Sequence, residues 1–141
     1  MTKNMVNIDI FYEGGFHCVA THGPSGDKIA TDAPVDNKGR GEAFSPTDLL
    51  ATSLGVCSIT TMDIKNPDPE NINLSGSQVR VEKHMTTTQP RKLAVIKVFY
   101  ELSENIPEDK RAILENIARN CPVALSISSD VKQEHYFNYS L

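Results

Sequence analysis

Ser45-Pro46-Thr47-Asp48-Leu49-Leu50-Ala51-Thr52-Ser53-Leu54-Gly55-Val56-Cys57 is the stretch on which the reading of this chain turns. Ser at the cap, Pro at the first helical position, where no amide hydrogen is needed, and an acid three residues after the cap together announce a helix. Leu50, Leu54 and Cys57 recur at i, i+4 and i+7, so at about 100° per residue the Cys57 sulfur points within roughly 20° of Leu50. This predicts a helix whose inward face carries a thiol. Ala51, Ser53, Gly55 and Ser58 beside it are small and let other segments approach closely. Asn66-Pro67-Asp68-Pro69 predicts the end of the helix before Pro67.

On the N-terminal side, residues 5–13 alternate apolar and polar, Gly14-Gly15 supplies a turn, and residues 16–20 return as the second arm of a hairpin. Gly23-Pro24-Ser25-Gly26-Asp27 makes a second turn and residues 28–31 a third strand. An Asp-, Asn- and Gly-rich loop, residues 35–44, crosses to the helix. On the C-terminal side, residues 78–86 and 93–103 read as long strands around a Gln89-Pro90-Arg91 turn. Pro107 opens an amphipathic helix with the stripe Ile113, Leu114, Ile117 and Ala118, and Asn120 is expected as its left-handed terminator. Cys121-Pro122 then starts a short Pro-led helix to about Ser126, and residues 131–139 form the last strand. The order βββ-α-ββ-αα-β predicts an α+β fold of antiparallel sheets, as a single domain over residues 1–141.

Composition narrows the function classes. Hydrophobic residues are 39% of the 141 and charged residues 23%, a globular balance. Fourteen Lys and Arg against eighteen Asp and Glu give a net charge of −4, and no basic run is present to neutralise a phosphate backbone, which disfavours nucleic acid as a partner. Met1-Thr2-Lys3-Asn4-Met5 leads into strand-like sequence without the pattern of a signal peptide, and no stretch approaches the roughly twenty apolar residues of a membrane span. The expectation is a cytoplasmic protein with no membrane partner. Three cysteines without CxxC or zinc-like Cys/His spacing give no disulfide framework, no metal site and no cofactor. A thiol with a role in a reducing compartment is catalytic or redox-active.

Cys57 reads either as a small hydrophobe in the core or as a reactive thiol. Cys121, as a cap before Pro122, reads either as an inert thiol beside the cap or as one placed where free amide hydrogens stabilise a thiolate. The two meet in one pocket if their helices pack together. Cys18, within a strand, reads as packing. A buried thiolate needs a cationic neighbour, and His17, Arg40 and Arg91 are the candidates. Asp48 has an ordinary role as the capping acid and Thr47 as a first-turn residue. His22, His84 and His135 show no hydrolytic pattern.

Gly39-Arg40-Gly41-Glu42-Ala43-Phe44-Ser45-Pro46-Thr47-Asp48-Leu49-Leu50-Ala51, with Ser53-Leu54-Gly55-Val56-Cys57, resembles the OsmC/Ohr family of osmotically inducible and organic hydroperoxide resistance proteins. Thr31-Asp32-Ala33-Pro34 and Asn120-Cys121-Pro122-Val123 resemble its OsmC-like branch. The resemblance implies an intertwined homodimer whose sheets wrap around central helices, with active sites at the subunit interface. It implies that Cys57 attacks an organic hydroperoxide and becomes a sulfenic acid, that Cys121 resolves it as a disulfide, and that a dithiol reductant, lipoyl-linked in one branch, restores both thiols. Peroxidase members carry Glu where this chain has Thr47 and Arg where it has His17. Asp48 or Glu42 is then the candidate acid of the activating pair, and His17 or Arg40 the candidate cation.

Two rival readings follow from the same residues. Thr47 and His17, in place of charged groups, fit a small-ligand-binding protein of this fold with weak or lost peroxidase activity. A hydrolase with Cys57 as acyl nucleophile lacks an identifiable general base.

Overall fold

In the computed structural model, which describes residues 4–141, the first turn forms where the glycines stand. Gly14 and Gly15 take left-handed backbone at φ 86° and 61°, a region a side chain disfavours. β1 (Ile8–Gly14) pairs antiparallel with β2 (His17–His22), and β2 with β3 (Lys28–Asp32), in sequence order. Met1, Thr2 and Lys3, part of the stretch read for targeting signals, lie outside the described residues. Two compact units divide the chain, Met1–Leu49 and Leu50–Leu141.

The first unit holds the β1–β2–β3 sheet, a single 3-10 turn at Val35–Asn37 and a parallel bridge from Thr31 to Phe44. Gly39 is required by close approach: a Cβ there would stand 1.7 Å from the Ala33 carbonyl oxygen. Asp32 and Ser45 are the buried residues among those described in this unit. Ile8 (59%), Ile10 (69%), Phe11 (68%) and Tyr12 (58%) remain exposed. Because side chains alternate across a strand, both faces of β1 present apolar groups to solvent in the isolated chain.

The second unit carries the apolar core. Helix α1 (Pro46–Ile64) contributes Ala51, Leu54, Gly55, Ser58, Thr61 and Met62 to it from Leu50 onward. β4 (Gln78–Met85) pairs antiparallel with β5 (Leu93–Leu102), whose Ile96, Val98, Tyr100 and Leu102 are fully buried. α2 (Glu108–Arg119) and α3 (Pro122–Ser126) precede β6 (Lys132–Tyr139). No helix of the described residues is long and apolar enough to cross a membrane.

Four expectations are corrected. β6 lies parallel to β5, so the second sheet is mixed and not antiparallel. The reason is the connection: α2 and α3 form a crossover long enough to return the chain to the same end of the sheet, as parallel pairing requires. Leu50 is 40% exposed, because the buried stripe of α1 is centred on Ala51, Leu54 and Ser58, leaving Leu50 and Cys57 on its flank. Ile113 is 46% exposed while Leu114 and Ala118 are buried, so the apolar stripe of α2 is narrower than its sequence suggests. Asn120 ends α2 at φ −117°, outside the left-handed region.

Gly55 sets how closely α1 sits on β4. A Cβ there would come 2.6 Å from Val81 Cγ2 and 3.3 Å from Val79 Cγ1, and β-branched valines have little rotamer freedom to give way. Gly55→Ala gains about 1 kcal/mol of helix propensity but incurs an overpacking cost of about 1–3 kcal/mol. The expected outcome is a net loss of stability, read as a lower urea midpoint at unchanged m-value.

Candidate functional site

The helix bearing Cys57 starts as its sequence dictates. Ser45 Oγ accepts from the Asp48 amide at 3.1 Å, the Asp48 carboxylate accepts from the Ser45 amide at 2.9 Å, and Thr47 Oγ1 lies 3.2 Å from Ser45 Oγ. This is a reciprocal capping box, and it occupies Asp48 and Thr47 at the start of α1. The helix then projects Cys57, half-buried, from the flank of its buried stripe.

Cys121 is fully buried as the N-cap of α3. Its sulfur accepts from the Ala124 amide at 3.4 Å and lies 3.6 Å from Ser58 Oγ. Pro122 at the first helical position fixes this turn, since it needs no amide partner. Cys57 Sγ is 3.7 Å from Thr61 Oγ1, one helical turn on, and within hydrogen-bonding reach of the Val123 backbone amide and the Cys121 side chain. The structure therefore brings the two thiols of α1 and α3 together, both free.

Burial pushes the Cys57 thiol up, but hydrogen bonds from the Val123 amide, Thr61 and Cys121 outweigh it, and the net shift is below the ordinary 9.0. An amide donor stabilises the thiolate and not the thiol, which is the sign required. An open cavity of about 440 Å³, lined mainly by apolar groups such as Leu50, Leu93, Val123 and Val131 with Ser126 and Ser128, meets this site through Val123; neither Cys57 nor Cys121 lines it. Val123 thus faces the cavity and also supplies the amide that meets Cys57.

Within the first unit, His17, Arg40 and Glu42 gather around buried Asp32. His17 Nδ1 donates to Asp32 Oδ1 at 2.6 Å, Arg40 Nη2 stands 3.7 Å from the same oxygen, and the Glu42 amide donates to Asp32 Oδ2 at 3.1 Å. His17 Nε2 also faces Glu13 Oε1 at 3.3 Å. The hydrogen bond from His17, with further help from the Glu42 amide and Arg40, holds the Asp32 carboxyl below its ordinary value against the opposing effect of burial. Arg91 is exposed in the β4–β5 turn. Cys18 is half-buried in β2 between Tyr12 and Thr31.

Several groups at the thiols escape a reading of sequence. Thr61 is four residues after Cys57 and on a neighbouring face, a spacing that would have found it. The Val123 amide has no side-chain signal. Tyr100 and His135 come from β5 and β6, and their joining is a product of sheet register. Tyr100 Oη lies 2.7 Å from His135 Nδ1 and also reaches Ser58. Burial, with Arg119 nearby, pushes His135 down to about 4. Burial pushes the Tyr100 hydroxyl well up. Among the described residues, no group of three or more His, Cys, Asp or Glu side chains is placed to hold a metal ion.

Fold and site together define an α+β protein with two adjoining thiols, one on a long helix and one capping a short Pro-led helix. The chain belongs to the family of OsmC-like proteins, whose model matches residues 39–135. A protein of Psychrobacter arcticus 273-4, provisionally described as an osmotic stress induced and detoxification response protein, is 39% identical, with 97% of this chain and 98% of that one covered and a TM-score of 0.88. An OsmC-like protein of Mycoplasma pneumoniae shares the fold at 16% identity and TM-score 0.79, covering 99% and 100% of the two chains. So does the organic hydroperoxide resistance protein OsmC of Legionella pneumophila, at 15% identity, TM-score 0.76 and complete coverage of both (100% and 100%). No curated protein matches the sequence.

Two outcomes test the electrostatics. Thr61→Val removes one donor to the Cys57 thiolate, so the pH profile of Cys57 alkylation should move to higher pH, followed by mass spectrometry of the modified peptide. Asp32 is held low when folded, so its stabilising effect is complete above the unfolded value of 3.8 and is lost as pH falls through the lower folded value. Asp32→Asn should destabilise the protein at neutral pH and remove that component of its acid unfolding curve.

Proposed function

We propose that this chain is a thiol-dependent peroxidase that reduces organic hydroperoxides in oxidative-stress defence, with Cys57 as the reactive and Cys121 as the resolving cysteine. The observation that carries the reading is the adjoining pair: a partly exposed sulfur favoured as thiolate by the Val123 amide and Thr61, with a second free thiol in hydrogen-bonding reach. A lone structural cysteine needs neither feature.

The chemistry balances on these groups. Cys57 thiolate attacks a peroxide oxygen, the O–O bond breaks, and the alcohol leaves after taking a proton, so the sulfur becomes a sulfenic acid. Cys121 sulfur then forms an S–S bond to Cys57 while the S–O bond breaks, and the hydroxide departs as water with the Cys121 proton. A dithiol, of lipoyl type in this reading, reduces the disulfide by two exchanges.

The cavity beside Val123 has an apolar lining, which suits an organic substrate over hydrogen peroxide. The Legionella relative's name, an organic hydroperoxide resistance protein, agrees with this substrate class. The apolar groups exposed on both faces of β1 support a homodimer, since a contiguous exposed apolar surface calls for a covering partner. In this reading residues 1–141 act as one domain in the cytoplasm, where reduction keeps both thiols available.

A second reading has a specific observation behind it. His17 and Arg40 are both engaged by Asp32, and Asp48 by the Ser45 amide, which fits a ligand-binding protein of the same fold with weak peroxidase activity.

Consumption of cumene hydroperoxide in the presence of a dithiol separates the two. The wild type should turn over, Cys57→Ser should lose activity by orders of magnitude, and Cys121→Ser should accumulate a dimedone-reactive sulfenic acid without a disulfide. Equal consumption by wild type and Cys57→Ser would eliminate the peroxidase.

A further inference from the structure

Ser58 follows Cys57 on α1, yet its hydroxyl points to the other thiol, 3.6 Å from Cys121 Sγ. Ser58, Cys121 and Tyr100 are all fully buried. Ser58 reaches the Tyr100 hydroxyl, which stands 2.7 Å from His135 Nδ1. Four polar groups from α1, α3, β5 and β6 thus form one line through the core.

Its direction follows from its far end. Burial keeps His135 neutral, and its Nε2 is the buried side-chain atom without a hydrogen-bond partner among the described residues. An orphaned buried N–H is rarer than a bare acceptor, so the ring hydrogen belongs on Nδ1, donated to Tyr100. Tyr100 then donates to Ser58, and Ser58 to the Cys121 sulfur, which also accepts from the Ala124 amide at 3.4 Å. With two donors on that sulfur, the S–H of Cys121 turns to the remaining acceptor in reach, the Cys57 sulfur.

We propose that Ser58, held in place by Tyr100 and His135, is the positioning residue for disulfide formation, donating to the Cys121 sulfur so that its S–H faces Cys57. The proposal rests on the peroxidase reading above. While Cys57 is a thiolate, its negative charge draws the Cys121 hydrogen. When Cys57 becomes a sulfenic acid, the same S–H faces the hydroxyl that departs, and the Cys121 sulfur, held by Ser58, stands beside the Cys57 sulfur. The bond changes are those of the resolving step already given: S–S forms, S–O breaks, and the Cys121 hydrogen ends on the departing water. Burial keeps solvent from substituting for Ser58.

A single-turnover experiment with equimolar cumene hydroperoxide tests this on the full chain, comparing wild type, Ser58→Ala and Tyr100→Phe. Two rates are read by quenching and mass spectrometry: oxidation of Cys57, trapped by dimedone, and appearance of the Cys57–Cys121 disulfide. Oxidation should be unchanged in Ser58→Ala, while disulfide formation slows by about tenfold, the order of one hydrogen bond. Tyr100→Phe should slow the second rate in the same direction and by less. Disulfide formation at the wild-type rate in Ser58→Ala overturns the proposal, as does an equal fall in both rates, which marks a general packing defect. Failure of wild-type Cys57 to oxidise at all defeats the peroxidase reading, and the positioning role with it.

Discussion

The close seat of α1 on β4 is the constraint from which the site follows. At Gly55 there is no room for one more carbon, with Val81 Cγ2 2.6 Å from where it would stand. Ala51 and Ser58 continue the small-residue face along the buried side of the helix. A larger residue in this row would lift α1 off the sheet, and the 3.6 Å contact between Ser58 of α1 and Cys121 at the cap of α3 is too short to survive an ångström of displacement. The same seating explains why Cys57 is half-buried. It lies one residue's rotation, about 100°, from fully buried Ser58, which places it at the margin of the packed surface, close to Cys121 yet open to reagents.

That margin decides the electrostatics. Deep burial would favour the neutral thiol, and full exposure would leave an ordinary one. Cys57 takes the intermediate course, with burial working against the thiolate and directed donors overcoming it. The Val123 amide is the donor least open to side-chain replacement, and it is aimed by the turn that Cys121 and Pro122 impose at the start of α3. Cys121 thus has a structural part in poising Cys57. The charged residues that resemblance offered for this task are engaged with other partners: His17 and Arg40 with Asp32, Asp48 with its own helix cap.

Local rules made much of this legible in sequence. Ser45, Pro46 and Asp48 specify the start of α1 within three residues, alternation specifies β5, and Cys121-Pro122 specifies the start of α3, because each depends on neighbours in the chain. The parallel placement of β6 was not legible, since pairing across the α2–α3 crossover is a tertiary choice. The phase of the α1 stripe was misread by one flank. Leu50 and Leu54 attract attention as large apolar groups, whereas the buried face is set by what the sheet admits, and Ala51, Gly55 and Ser58 fit where Leu50 does not. His135 gave no signal because its partner Tyr100 is 35 residues away in sequence.

The hydrogen-bonded line in the core draws its precision from apolar packing. Tyr100 is stacked on Phe137 at 4.3 Å between ring centroids, with an interplanar angle of 8°, and His135 lies in the same layer at 5.9 Å. Register between β5 and β6 sets Tyr100 opposite Phe137 and Val98 opposite His135, so the rings have little freedom to rotate. A hydroxyl carried on such a ring is held at a fixed point, and Ser58, with one rotatable bond, has only to meet it. The unpartnered Nε2 of His135 fits this arrangement. With its hydrogen on Nδ1, that nitrogen is a bare acceptor, which buries at less cost than an unpaired N–H, and the line runs in one direction, from the sheet toward the thiol. Side-chain polarity in this core is therefore organised by stacking and burial, and the sulfur of Cys121 stands at its end, beside Ser58.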